Sequence, residues 1–253
     1  MNPPTFDELI QTALDHRLTG WDFSWLHART REEPLPWDYR AIVSERMRGA
    51  ASLLDVGTGG GEILASLAPL PALTRATEGY PPNVPLARAR LAPLGVEVAD
   101  VSEIQDGHLP YAEAAFELVI DRHSGAPASE LARVLKPGGH YVTQQVGGQN
   151  CLDINRFFED TPSYEYADAS LQENVRALEA AGLRILTAQE AFPAWTFTDV
   201  AGVVFYLEAI PWQIQGFSVE TYRDRLYELH NLIQRDGGWT VRQHRYLIEA
   251  ENE

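Results

Sequence analysis

The chain of 253 residues has a single cysteine, Cys151, so it can form no intramolecular disulfide and holds no cysteine-rich metal site. We read that thiol as buried or incidental rather than as a nucleophile. Basic residues are scarce: 20 Lys+Arg stand against 36 Asp+Glu, a formal net charge of −16. A field of that sign repels phosphate backbones. No basic run offsets it, because Glu32 and Glu33 interrupt Arg29, Arg31 and Arg40, and Arg88 and Arg90 stand on a helical segment. Nucleic acid is therefore disfavoured as a partner. Long apolar runs are missing as well. The most apolar segment, 200–212, is broken by Glu208 and Pro211 and is shorter than the roughly 20 residues that span a bilayer. The N-terminus lacks a basic start followed by an apolar stretch, so a cytoplasmic location is expected. There is no His-Glu-x-x-His pattern or comparable cluster to bind a metal, and no internal repeat or low-complexity tract.

What the chain does have is an alternation of short apolar runs with helical patterns. Thr5 and Glu8 have capping-box spacing, and Phe6, Leu9, Ile10, Ala13 and Leu14 then share one helical face. Pro36 opens a helix expected over about 37–47. Strands are predicted at Ser52–Val56, Leu73–Glu78, Val96–Ala99, Leu118–Asp121, His140–Val146 and Leu183–Thr187. Helices are predicted at 62–68, at 129–135 before the Lys136-Pro137-Gly138-Gly139 turn, and at about 169–181 before Gly182. That rhythm indicates a parallel sheet covered on both faces. Two helical patterns, 199–210 and 218–234, then follow in succession, and Trp239–Ile248 reads as a last, antiparallel strand.

The segment Leu53-Leu54-Asp55-Val56-Gly57-Thr58-Gly59-Gly60-Gly61-Glu62 joins the first of these strands to a helix. Glycine permits a tight turn with close backbone approach, and free N–H groups at a helix start favour an anionic group. A dinucleotide fingerprint starting at Gly57 requires a small residue where Glu62 stands. Asp55 sits badly beside a pyrophosphate but well beside the ammonium of an amino-acid moiety. Glu78 ends the second strand, where a carboxylate can accept both hydroxyls of a ribose. Asp100 follows the third strand, where it can accept from an adenine amino group.

These elements, with Leu109-Pro110-Tyr111, Phe116–Ile120 and Leu131–Gly139 following in order, resemble the class I S-adenosylmethionine-dependent methyltransferases over about residues 50–146. The resemblance implies a Rossmann-like, doubly wound α/β fold: a seven-stranded, mostly parallel sheet whose last strand is antiparallel. It implies S-adenosylmethionine as cofactor and S-adenosylhomocysteine as product. Gly57 and Gly59 then line the methionine portion, and Asp55, Thr58, Gly61 and Gly79 are further cofactor-binding candidates. Glu78 binds ribose, Asp100 with Val101 holds adenine, and Asp121, Arg122 and His123 border the sulfonium.

The expected organisation is a single methyltransferase domain over 1–253. It comprises an N-terminal helical cap (1–48), a cofactor-binding core (49–192), a helical insertion or lid (193–238), and the last strand with its tail (239–253). His123 is the candidate base, since histidine titrates near neutrality. Trp37, Tyr39, Gln144 and Tyr206 are candidate substrate residues, the aromatic ones belonging to segments expected to close an apolar pocket. Methyl transfer to a small molecule is the leading reading. An RNA or protein acceptor, or a non-catalytic nucleoside-binding role, remain the alternatives.

Overall fold

The computed structural model describes residues 4–16, 18, 21–162 and 166–253. Its strands in chain order are β1 (Thr30–Glu32), β2 (Ser52–Val56), β3 (Leu73–Glu78), β4 (Glu97–Asp100), β5 (Phe116–Arg122), β6 (Leu135–Val146), β7 (Leu183–Ala191), β8 (Ala194–Phe197), β9 (Trp239–Arg242) and β10 (Arg245–Asn252). The α-helices are α1 (Phe6–Asp15), α2 (Tyr39–Met47), α3 (Glu62–Ser66), α4 (Val84–Leu91), α5 (Ala128–Val134), α6 (Leu152–Phe158), α7 (Leu171–Ala180), α8 (Val200–Ala209) and α9 (Arg223–Asp236). No described helix is long and apolar enough to cross a membrane.

The residues form two compact units. One comprises 36–147, 169–190 and 245–253. Its seven-stranded sheet has the order β4-β3-β2-β5-β6-β10-β7. The pairs β3–β4, β2–β3, β2–β5 and β5–β6 are parallel, and β10 runs antiparallel to β6, with Arg245 opposite Val146 and Glu251 opposite His140. This is the Rossmann-like arrangement with an antiparallel last strand. Every residue of β2 is buried. Alternation then sends Leu53 into one apolar cluster with Val43, Leu64 and Ile120, and Leu54 into another with Val119, Leu131 and Ile248. A sheet covered on both faces needs such two-sided apolar strands. The chain builds outward from β2 to β4, then returns to lay β5 on the other side of β2. That reversal makes the β2–β5 junction the switch point, where ligands of open α/β sheets bind beyond the strand ends.

The other unit comprises residues up to 35, 148–168 and 191–244. Its antiparallel sheet has the order β1-β8-β9. Thr5 caps α1 in the expected capping box: its Oγ1 accepts from Glu8 N at 3.4 Å, and its own N–H donates to Glu8 Oε2 at 2.7 Å. Helix α8 is buried from Val200 to Leu207 and packs with Leu9, Trp195, Phe197 and Leu229. At its start Asp199 accepts from Gly202 N at 3.0 Å and pairs with Arg29. Cys151 is fully buried in this unit's core.

Two strand expectations change here. The segment 239–248 is not one strand: it breaks at Gln243 and His244, leaving β9 in the small sheet and β10 in the large one. At the break, Gln243 N donates to Pro193 O at 3.0 Å and His244 N to Asn150 Oδ1 at 3.2 Å. These bonds replace the ladder bonds that a continuous strand would make. Strands β1 and β8 were not anticipated.

Candidate functional site

The segment after β2 turns through three glycines in the left-handed region: Gly57 (φ 65°), Gly59 (φ 63°) and Gly61 (φ 81°). Two of them also have no room for a Cβ. At Gly57 it would collide with the Ser124 hydroxymethyl group, and at Gly61 it would lie 2.9 Å from Leu91 Cγ. The loop is tied to the end of β3. Gly57 N donates to Thr77 Oγ1 at 3.1 Å, and Thr58 N to Thr77 O at 2.8 Å. Gly59 N donates to Glu78 Oε2 at 2.6 Å, while Glu78 Oε1 accepts from Tyr80 N at 2.7 Å. Each carboxylate oxygen of Glu78 retains further acceptor capacity. Burial nonetheless raises the Glu78 pKa, against the opposing pull of these N–H groups.

Asp55 and Asp121 stand on adjacent strands, Asp121 being paired in register with Val56. Both are almost fully shielded from solvent, and burial pushes each pKa up to about 7. For Asp55 the Thr58 hydroxyl works against that rise, whereas the charges of Asp121 and Glu78 add to it. Asp121 Oδ2 accepts from Tyr141 Oη at 3.1 Å and its Oδ1 from Ser124 N at 3.2 Å. Asp100 differs from these. It is exposed, pairs in register with Glu78, and accepts from Ser102 N at 3.0 Å; hydrogen bonds from Ser102 hold its pKa below the ordinary value. Val101 N donates to Glu78 O at 3.0 Å. A Cβ on Gly79 would meet Val101 at an ordinary 3.8 Å, so nothing steric demands glycine there.

At the ends of β5 and β6, Arg122 lies opposite Gln144 in register. His123 takes a left-handed backbone (φ 61°), which its N–H stabilises by donating to Gln144 O at 2.9 Å. Its imidazole Nε2 is 3.2 Å from Gln144 Nε2, and Gln144 Oε1 accepts from Trp37 Nε1 at 2.9 Å. Tyr39 Oη donates to Asp121 O at 3.4 Å. His123 is exposed as a residue, yet the protein packed around its ring disfavours a second proton, as do the charges of Arg122 and Arg245, so its pKa lies well below the usual value.

The structure thus gathers Asp55, Gly57, Thr58, Gly59, Gly61, Glu78, Gly79, Asp100 and Val101 along the ends of β2, β3 and β4. It gathers Asp121, Arg122, His123, Gln144, Trp37 and Tyr39 around the ends of β5 and β6. Tyr206 lies in the other unit, buried in its core, with Oη donating to Gln213 Oε1 at 3.0 Å. Sequence reasoning passed over Thr77, Ser124 and Tyr141, which anchor the loop or Asp121. Only the position of Thr77, directly before Glu78, hinted at its part. Among the described residues, no group of three or more His, Cys, Asp or Glu is placed to hold a metal ion.

Asp55 and Asp121 are buried carboxylates whose pKa values burial pushes up to about 7, and the ammonium and sulfonium groups of a bound ligand would offer them a countercharge. Together with the switch-point glycine loop, this fits the fold of the S-adenosylmethionine-dependent methyltransferases. Comparison with known proteins agrees. The family model described as "Methyltransferase domain" matches residues 54–143. The protein-L-isoaspartate O-methyltransferase of Methylorubrum populi is 34% identical over 141 residues, covering 54% of this chain and 66% of that protein. The biotin biosynthesis bifunctional protein BioHC of Cellvibrio japonicus is 27% identical over 217 residues, covering 79% of this chain and 40% of that protein. The chain therefore spans less than two thirds of the length of either curated relative. In fold it is similar to a solved structure from Bacillus halodurans C-125, with a TM-score of 0.57 and 21% identity over 84% of this chain and 99% of that one. Residues 54–143 thus match a methyltransferase domain, a kind that takes its methyl group from S-adenosylmethionine.

Proposed function

We propose that the protein methylates a small molecule, using S-adenosylmethionine bound across the ends of β2 to β5. The observation that carries this reading is the pairing of the left-handed glycine loop with three largely buried acids, Asp55, Glu78 and Asp121. In it, Gly57, Gly59 and Gly61 let the backbone approach the methionine portion, with Thr58 completing the loop. Asp55 faces the ammonium end, Glu78 with Gly79 receives the ribose hydroxyls, and Asp100 with Val101 borders the adenine. Asp121 to His123 border the sulfonium. When bound, the cofactor supplies an already activated methyl group, so the chain's task is positioning and exclusion of water. Trp37, Tyr39 and Gln144 border the acceptor beside His123. The net charge of −16 speaks against a polyanionic acceptor. A polypeptide acceptor is the second reading, favoured by the 34% identity to a methyltransferase named for isoaspartate in proteins.

Calorimetry with S-adenosylmethionine, S-adenosylhomocysteine and NAD tests the cofactor site. Binding of the first two without NAD is expected, and NAD binding without S-adenosylhomocysteine overturns the reading. Incubating the protein and methyl-labelled cofactor with fractionated cell extract tests the acceptor. Label is expected in the low-molecular-weight fraction, and label confined to protein establishes the second reading.

A further inference from the structure

Hydrogen-bond polarity around His123 decides more than its sequence position can. The indole N–H of Trp37 can only donate, so the Gln144 atom 2.9 Å away must be its carbonyl Oε1. The Gln144 amide is thereby oriented, and its NH₂ group is the one that faces His123 Nε2 at 3.2 Å. An amide nitrogen has no lone pair to offer, so Nε2 must accept, and the proton of a neutral ring then resides on Nδ1. Among the described residues, no hydrogen bond is made to Nδ1, and the residue is exposed. Its location is fixed by the next residue, because Ser124 packs against Gly57 of the glycine loop. The free nitrogen therefore carries a hydrogen, while the nitrogen with a lone pair is already engaged. A base needs the opposite arrangement.

We propose that His123 binds the methyl acceptor by donating its Nδ1–H to an oxygen of that molecule, a carbonyl or carboxylate, and removes no proton from it. Trp37 and Gln144 are the positioning residues that hold the ring in this tautomer. The inference rests on the methyl-transfer reading for its ligand, but the tautomer itself does not. Charges facing the ring are those of Arg122 on β5 and Arg245 on β10, and both favour the neutral form. This neutrality is what a steady donor needs. The left-handed backbone at His123 is consistent with a residue held for its function, since such conformations are uncommon outside glycine.

The first test needs no acceptor. The protein is labelled with ¹⁵N-histidine and loaded with S-adenosylhomocysteine, and the His123 ring signals are identified by their loss in His123→Asn. Nδ1 is expected to be protonated and Nε2 bare. Gln144→Glu places a carboxylate oxygen against Nε2 and is expected to move the proton onto Nε2, whereas Trp37→Phe releases the amide and mixes the two forms. An Nε2–H ring in the wild-type protein, or a tautomer unmoved by both substitutions, overturns the proposal. A merely structural role for Gln144 would not move the proton.

The second test reads methyl transfer from labelled S-adenosylmethionine into the accepting extract fraction. Asparagine places an N–H near the position of Nδ1 and tolerates a left-handed backbone, whereas glutamine reaches the position of Nε2. Since a positioned donor is worth about 100-fold or more, His123→Asn is expected to lose about tenfold and His123→Gln and His123→Phe about a hundredfold. Equal, near-complete loss in all three, with cofactor binding intact, sinks the donor role in favour of a base. If the wild-type protein binds S-adenosylhomocysteine but labels nothing, the methyl-transfer reading has failed, and the tautomer measurement stands apart from that result.

Discussion

Asp55 and Asp100 close strands of the same sheet with one strand between them, and their surroundings act on them in opposite directions. Asp55 lies on β2, flanked by β3 and β5, where burial drives its pKa to about 7. Asp100 ends β4, the outermost strand on that side, where it is exposed and hydrogen bonds from Ser102 keep it ionised. At the centre of the sheet a carboxylate is held at a cost that only a cation can offset; at its edge water and a local turn do so already. The comparison separates two tasks within one row of acids. In the proposed reading the central pair, Asp55 and Asp121, recognises charge, and the edge acid contributes shape and a hydrogen bond.

The sharpest way to break that contrast is Asp55→Asn. Losing a buried charge opposite a cationic ligand costs about 2–5 kcal/mol, so S-adenosylmethionine should bind roughly a hundredfold more weakly in calorimetry. The same substitution removes a carboxylate that the unliganded fold strains to ionise, so the apo protein should unfold at higher urea at neutral pH. Unchanged cofactor affinity would remove Asp55 from the site.

Gly57→Ala acts on the scaffold beneath that contrast. It adds a Cβ at φ 65° and drives it into Ser124. Left-handed backbone and overpacking each cost on the order of 1–3 kcal/mol, so thermal unfolding should show a clear loss of stability. Adding Ser124→Gly, which removes both the hydroxyl and the Cβ that collide, should recover only the overpacking part. Full recovery in the double variant would mean that backbone conformation contributes nothing.

The glycine-rich loop was legible because its glycines follow an apolar strand and precede a helix, and the three acids because each falls where an apolar run stops. The reason for Gly57 was not legible in full. Part of the demand comes from Ser124, remote in sequence and brought close only by the pairing of β2 with β5. The same holds for β1 and β8, which are three and four residues long and exist as strands through pairing with each other and with β9. Continuous strand propensity through Trp239-Thr240-Val241-Arg242 into Tyr246-Leu247-Ile248 concealed a break that bonds to Pro193 and Asn150 impose. At His123 the sequence supplied a titratable group at the right strand end. Whether that group gives or takes a proton depends on Trp37 and Gln144, whose hydrogen bonds no local pattern encodes.

Acidity offers a milder probe. Asp55 and Asp121 keep their protons to about pH 7 when folded, against 3.8 for an ordinary aspartate. Their folded pKa values are raised, so the stability they confer is fully present below about pH 4 and is lost as pH rises through about 7. Apo stability should accordingly fall between about pH 5 and about pH 8 in chemical denaturation. Cofactor affinity moves the other way, because the cation favours the ionised acids. It should rise about tenfold from about pH 6 to about pH 7.5, and Asp55→Asn should flatten that slope.

The smallest effect belongs to the edge. Asp100→Ala removes an exposed acceptor whose carboxylate is already satisfied by Ser102, and no dry environment amplifies its charge. A single hydrogen bond in contact with water is a modest contributor, so S-adenosylmethionine affinity should fall only about threefold to tenfold. Its pH dependence above about pH 6 should stay as in the wild type, since Asp100 remains ionised throughout that range. A loss as large as that of Asp55→Asn would mean that the edge acid carries charge recognition too. The division between the centre of the sheet and its rim would then have to be drawn elsewhere.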